Sequence, residues 1–214
     1  MNSDDARLDN ALGQAARFNR DVLKELNWRL MGKAETKYLN TAMKMDDAFL
    51  ALIAERPFGD LTITDVCRKA CVHRSTFYAH YDRMLDILIE VGDKTLNGFF
   101  DARFSGERVS LEVFLHSYLL LIEDNPALFR ALFGNASNYC ASSVFRIIDA
   151  RVTPDSFAIP TGKPLDTKYP LMFMASGISA VLSTWVLGGF EMEREEVARL
   201  IMSCVSGVDH EGDA

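Results

Sequence analysis

The stretch LTITDVCRKACVHRSTFYAHY, residues 61–81, reads as two short helices joined by a tight turn. Thr62 is placed to cap the first helix, its hydroxyl accepting from the backbone N–H of Asp65, and Asp65 falls in the first turn, where the helix dipole favours an acid. Ile63, Val66, Cys67 and Ala70 recur at i, i+3, i+4 and i+7, which gives that helix one buried face. A short turn, Cys71-Val72-His73, separates the two, as a helix-turn-helix requires. The second helix begins near Arg74. Phe77 and Tyr81 turn inward with Val72, which leaves Arg74, Ser75, Tyr78 and Ala79 on the outer face. That face suits a DNA major groove: Arg can bond guanine O6 and N7, and small residues permit close approach. Thr76 and Tyr78 carry hydroxyls suited to phosphates, which set register rather than sequence preference.

Working outward, scarce proline and long stretches without proline or glycine predict an all-α chain. A basic, amphipathic helix is expected over 17–35, with Phe18, Val22, Leu26 and Leu30 at i+4 steps; its cations are a DNA-reaching arm or a solvated face. A helix over 36–54 comes next, with Ala42, Met45, Phe49, Leu52 and Ile53 as one stripe. It stops at Arg56-Pro57, because proline disfavours a helical residue before it. Further helices are expected over 86–104, from Ser110 to before Asn125, over 126–133, 138–151, 170–187 and 193–205. A proline-rich loop covers 152–168, and Gly188-Gly189 separates the last two helices. The expected divisions are an extension over 1–35, a helix-turn-helix domain over 36–91, and a C-terminal helical bundle over 92–214.

Bulk properties restrict the function classes. The net charge of −7 runs against the usual basic footprint of a nucleic-acid binder, yet residues 17–81 sum to +3 and the remainder to −10. Cys67, Cys71, Cys140 and Cys204 contain no CxxC pair, and with His73 and His80 they fit no common zinc spacing, so reduced thiols and no metal or cofactor are expected. The acidic start MNSDDARLDN is no signal peptide, which points to a cytoplasmic protein. Residues 170–190 hold no charge and are long enough to span a bilayer. Their serines, small residues and lack of flanking cation clusters favour instead a dimer-forming helix. No GxSxG, HExxH or phosphate-cradling loop is present, so an enzyme is the weakest of three readings; the others are a DNA-binding regulator and a helix-turn-helix used for protein contact.

The segment FGDLTITDVCRKACVHRSTFYAHY, residues 58–81, closely resembles the DNA-binding signature of TetR/AcrR-type bacterial transcription regulators, and HRSTFYAHY their recognition helix. The similarity covers residues 38–91, with a weaker one at ASGISAVLSTWVLGGFEMEREEVARLI, residues 175–201, like the last two helices of a divergent branch. The resemblance implies a ligand-responsive repressor that binds a palindromic operator of double-stranded DNA as a homodimer through its last two helices, about 170–205. It implies base contacts from Arg74 and Ser75 and phosphate contacts from Thr62, Thr64, Thr76, Tyr78 and His80. Three positions depart from the family. Cys71 stands for the usual Gly, His73 for a capping Ser or Asn, and Met84 for a phosphate-contacting Lys. In the C-terminal half, Phe114, Tyr118, Phe129, Phe133, Tyr139, Met172, Phe173 and Trp185 are candidate lining for a small-molecule effector, with His116 and Asn138 as polar contacts. The same helical spacing also suits plain core.

Overall fold

The computed structural model describes residues 33–153 and 168–205. The helix expected over 17–35 lies mostly outside them, as does most of the 152–168 loop. Among the described residues the chain is all-α: nine helices, one 3₁₀ turn, and no strand beyond the isolated parallel bridge of Val109 and Val152. The chain divides into two compact units between Gly106 and Glu107. The expected domain edge at 91/92 falls inside a helix that runs unbroken to Phe104.

The first unit begins with α1 (Lys33–Glu55), which ends before Pro57 and passes into a 3₁₀ turn at Phe58–Asp60. Then come α2 (Ile63–Ala70), α3 (Arg74–Tyr78) and α4 (Met84–Phe104). The expected stripe of α1 is buried: Ala42, Met45, Phe49, Leu52 and Ile53 all lie inside. α1 packs on α2 and α4, and α2 on α3. Val66, Cys67 and Ala70 from α2, Phe77 from α3 and Ile87, Leu88 and Val91 from α4 complete the core. α4 starts at Met84, two positions earlier than the expected start at Asp86. Asp86 sits in the first turn, and its carboxylate accepts from the backbone N–H of Arg83 at 2.8 Å.

The second unit holds α5 (Leu111–Asp124), α6 (Pro126–Asn135), α7 (Ser137–Arg151), α8 (Lys168–Leu187) and α9 (Arg194–Val205). The Ser110 hydroxyl caps α5 by accepting from Val113 N–H at 3.3 Å, and Pro126 opens α6, where its missing N–H costs nothing. α8 packs against α6 and α7, and α9 against α5 and α8. The α8–α9 corner is tightly specified. A Cβ at Gly188 would meet the Thr184 carbonyl oxygen at 2.8 Å, and Gly189 takes φ +88°. Phe190 also adopts a left-handed φ, 64°, which is strained for a bulky residue. Its ring lies edge-on to Trp185 at 4.9 Å and beneath the Arg130 guanidinium at 5.4 Å. The Trp185 indole N–H donates to the Met192 carbonyl at 2.8 Å, so packing on both sides holds the turn in that conformation.

Of the described helices, only α8 is long and apolar enough to cross a membrane, over Tyr169–Leu187. One side of it is committed to the unit's interior through Ala175, Ile178, Leu182, Trp185 and Val186. On the other side Tyr169, Met172 and Phe173 stay exposed.

Candidate nucleic-acid interface

The candidate surface is built from its caps outward. The Thr62 hydroxyl accepts from Asp65 N–H at 3.2 Å, and the Asp65 carboxylate accepts from Thr62 N–H at 3.0 Å, so two otherwise unpaired donors at the start of α2 are satisfied reciprocally. Those hydrogen bonds from Thr62, foremost, hold the Asp65 carboxyl below the usual carboxylate range, with Arg56 adding to the effect at 2.9 Å. Thr62 Oγ1 also donates to Asp65 Oδ2 at 2.6 Å. A phosphate at Thr62 would therefore have to draw that proton from a carboxylate, whereas Thr64 is simply exposed.

α2 ends at Cys71, whose φ of 55° and ψ of 43° are left-handed. An L-residue pays for this geometry and glycine does not. Cys71→Gly is expected to stabilise the protein by about 0.5–1 kcal/mol, the relief of strain less the extra entropy of an unfolded glycine. A melting temperature higher by about 2 °C would register it; a fall would mean that the turn carries no such strain.

His73 caps α3 in place of a hydroxyl or amide side chain. Its Nδ1 accepts from Ser75 N–H at 3.3 Å and lies 2.8 Å from Ser75 Oγ. The imidazole thus does the work of a capping serine, and it also fixes the Ser75 side chain. α3 then presents Arg74, Ser75 and Tyr78 to solvent, with Tyr78 48% exposed, while Phe77 is fully buried. Arg74 Nη2 donates to the Tyr78 hydroxyl at 3.3 Å, and the guanidinium sits 6.0 Å from the phenol ring centroid. The cation is therefore held extended along the outer face before any partner arrives. Thr76 is half-buried.

His80 lies past the end of α3, stacked on Tyr38 of α1 with ring centroids 3.8 Å apart and planes 20° from parallel. Burial lowers its pKa, with Lys94 acting in the same direction and Glu90 and Asp46 opposing, which favours the neutral imidazole. Arg83 is exposed and paired with Asp86 at 2.9 Å, one residue before the apolar Met84.

Two features of this surface escape the local sequence pattern: the Tyr38 stack and the buried carboxylate of Asp46, which bonds Tyr81. Only Asp46 left a legible trace, as an acid between Ala42 and Phe49 on an otherwise apolar stripe.

The candidate effector residues fall at several places in the second unit. Phe114, Tyr118, Phe129 and Phe133 form a continuous run of ring contacts at 5.7–6.2 Å through the interior of the second unit. Trp185 belongs to the α8–α9 corner, Tyr139 is half-buried and His116 is exposed. Phe173 is 82% exposed, so it faces outward rather than into a core cavity. It borders a groove of about 90 Å³ between α8 and α9, too small for a ligand of drug size.

No family model matches the chain, and no curated protein matches it. Among solved structures, fifteen chains match. One is "Dihydroxyacetone kinase operon activator DhaS", 15% identical, with a TM-score of 0.53 over 77% of this chain and 96% of that one. At that identity the likeness is one of fold: this chain shares the all-helical architecture of a transcription regulator.

Proposed function

We propose that this chain is a DNA-binding transcription regulator of the TetR/AcrR type, acting as a homodimer on a palindromic operator. The observation that carries the reading is the division of α3. Its anchor, Phe77, is wholly buried, while Arg74, Ser75 and Tyr78 stand in solvent with the guanidinium already braced on the phenol. A guanidinium, a hydroxyl and a phenol on one short, well-capped helix match what a major groove and its flanking phosphates accept. Arg74 and Ser75 read bases; Thr64, Thr76, Tyr78 and His80 set register on the backbone, and Thr62 acts mainly as the cap. The open side of α8, with Tyr169, Met172 and Phe173, supports pairing of two chains through α8 and α9. The repressing, effector-responsive form of this reading rests on the sequence resemblance alone.

The test is enrichment of duplexes from a random-sequence pool by the full chain at low salt. The expected product is a pair of inverted half-sites whose centres are about 34 Å apart, or a multiple of that spacing. Two chains per duplex are expected in sedimentation, with affinity falling as salt rises. A pool that shows no enrichment at low salt would refute the reading and favour protein contact as the use of this face.

A further inference from the structure

We infer that Asp46, Tyr81 and Lys94 are positioning residues for DNA reading: a polar clasp, buried at Asp46 and Tyr81 and half-exposed at Lys94, that fixes the end of the reading helix against α1 and α4. The inference rests on the function proposed above and concerns residues with no place on the reading face.

Asp46 is only 7% exposed, within the apolar stripe of α1. Its Oδ1 accepts from the Tyr81 hydroxyl at 2.9 Å, and its Oδ2 accepts from Lys94 Nζ at 2.7 Å. Lys94 also pairs with Glu90 one turn earlier on α4. One carboxylate therefore ties together three segments of the first unit: α1, the residues just after α3, and α4.

The two ends of the ion pair pull in opposite directions on stability. Desolvation is the largest influence on Asp46 and raises its pKa, although Lys94 and Tyr81 pull the other way. A carboxyl whose folded pKa is raised favours the folded state below its unfolded pKa, and that advantage is lost as pH rises through the folded value. Near neutrality the ionised carboxylate is then a cost, which Lys94 offsets: its desolvation is outweighed by its bonds to Asp46 and Glu90, so its pKa is raised, and apolar side chains of similar volume would hold the fold about as well. What the polar groups add is direction. α3 has only five residues, and the buried rings that attach it, Phe77 and Tyr81, meet their neighbours through contacts that tolerate sliding and rotation. A phenol bonded to a carboxylate that is itself held by an ammonium has one geometry. Next to it, His80 stacks on Tyr38 of the same helix α1, so two consecutive residues register the end of α3 on one partner. Base recognition needs that register, because a donor pair displaced by a fraction of an ångström loses its bidentate bonds.

The experiment compares the wild-type chain with the triple variant Asp46→Leu, Tyr81→Phe, Lys94→Met. Both are measured on a duplex enriched by the wild type and on a duplex of mixed sequence. Melting should be about unchanged. Affinity for the enriched duplex should fall by about tenfold, the worth of one base contact, with unchanged salt slope and unchanged affinity for mixed sequence. A merely structural role would lower both affinities together. A folded triple variant with the wild-type ratio of the two affinities overturns the inference. If the triple variant does not fold, Tyr81→Phe, which deletes one hydroxyl, decides by the same ratio. A wild type that enriches no duplex sinks the proposed function and this inference with it. A wild type and variants that discriminate equally sink this inference alone.

Discussion

Replacing Arg74 and Tyr78 together by alanine is expected to lower affinity for an enriched duplex by about 100-fold or more while leaving the fold intact. One bidentate arginine–guanine contact is worth about 1–3 kcal/mol of discrimination, and a phosphate contact from the phenol adds to it. The two losses will not simply sum. Arg74 donates to the Tyr78 hydroxyl and lies against its ring, so removing the phenol also frees the guanidinium it braces. Both side chains are exposed, and surface substitutions of this kind change stability by about 0.5 kcal/mol or less. Arg74→Ala alone separates two roles. A base-reading arginine leaves the salt slope unchanged and relaxes preference at one position of each half-site. A phosphate-bound arginine reduces the slope by about one unit and keeps the preference. Wild-type affinity in the double variant would remove α3 from the interface.

The helix-turn-helix was legible because its determinants are local. Thr62 and Asp65 lie three residues apart, the stripe of Ile63, Val66, Cys67 and Ala70 repeats at helical spacing, and Phe77 and Tyr81 define the inner side of the second helix. The left-handed turn at Cys71 was likewise implied by where that residue stands in the motif. What the local pattern did not hold is the set of contacts that close over distance. Tyr81 meets Asp46 across 35 residues, and Lys94 meets it across 48. No periodicity encodes such a pairing; it exists only once three helices have packed. The aromatic residues of the second unit illustrate the opposite limit. Helical spacing places Phe114, Tyr118, Phe129 and Phe133 on inner faces. The same spacing is produced by a cavity wall and by a solid core; here it brings the four rings into one run of contacts.

Phe77→Ala is expected to abolish DNA binding by the opposite route, through stability, although Phe77 adjoins Tyr78 in the chain. Phe77 is 0% exposed, edge-on to Tyr78 at 5.8 Å and tilted against Tyr81 at 5.5 Å. Truncating a buried phenylalanine to alanine costs about 3–5 kcal/mol, the lost transfer energy plus the cavity left behind. A helix of five residues cannot persist on its own propensity, since a helix this short gains too few hydrogen bonds to offset nucleation. Its conformation is imposed by the ring that anchors it. Denaturant unfolding should therefore shift to a lower midpoint, and amide exchange across 62–81 should accelerate, before any DNA is added. Phe77→Leu keeps most of the apolar volume and should cost about 1.5 kcal/mol or less, with DNA binding largely retained. The contrast with the Arg74, Tyr78 pair is the decisive part: those substitutions leave a folded protein that cannot read, whereas this one leaves a reading face with nothing to hold it. An alanine variant at position 77 with wild-type stability would mean that α3 is not attached to the core through this ring, and the orientation of every outward side chain on it would have to be reassigned.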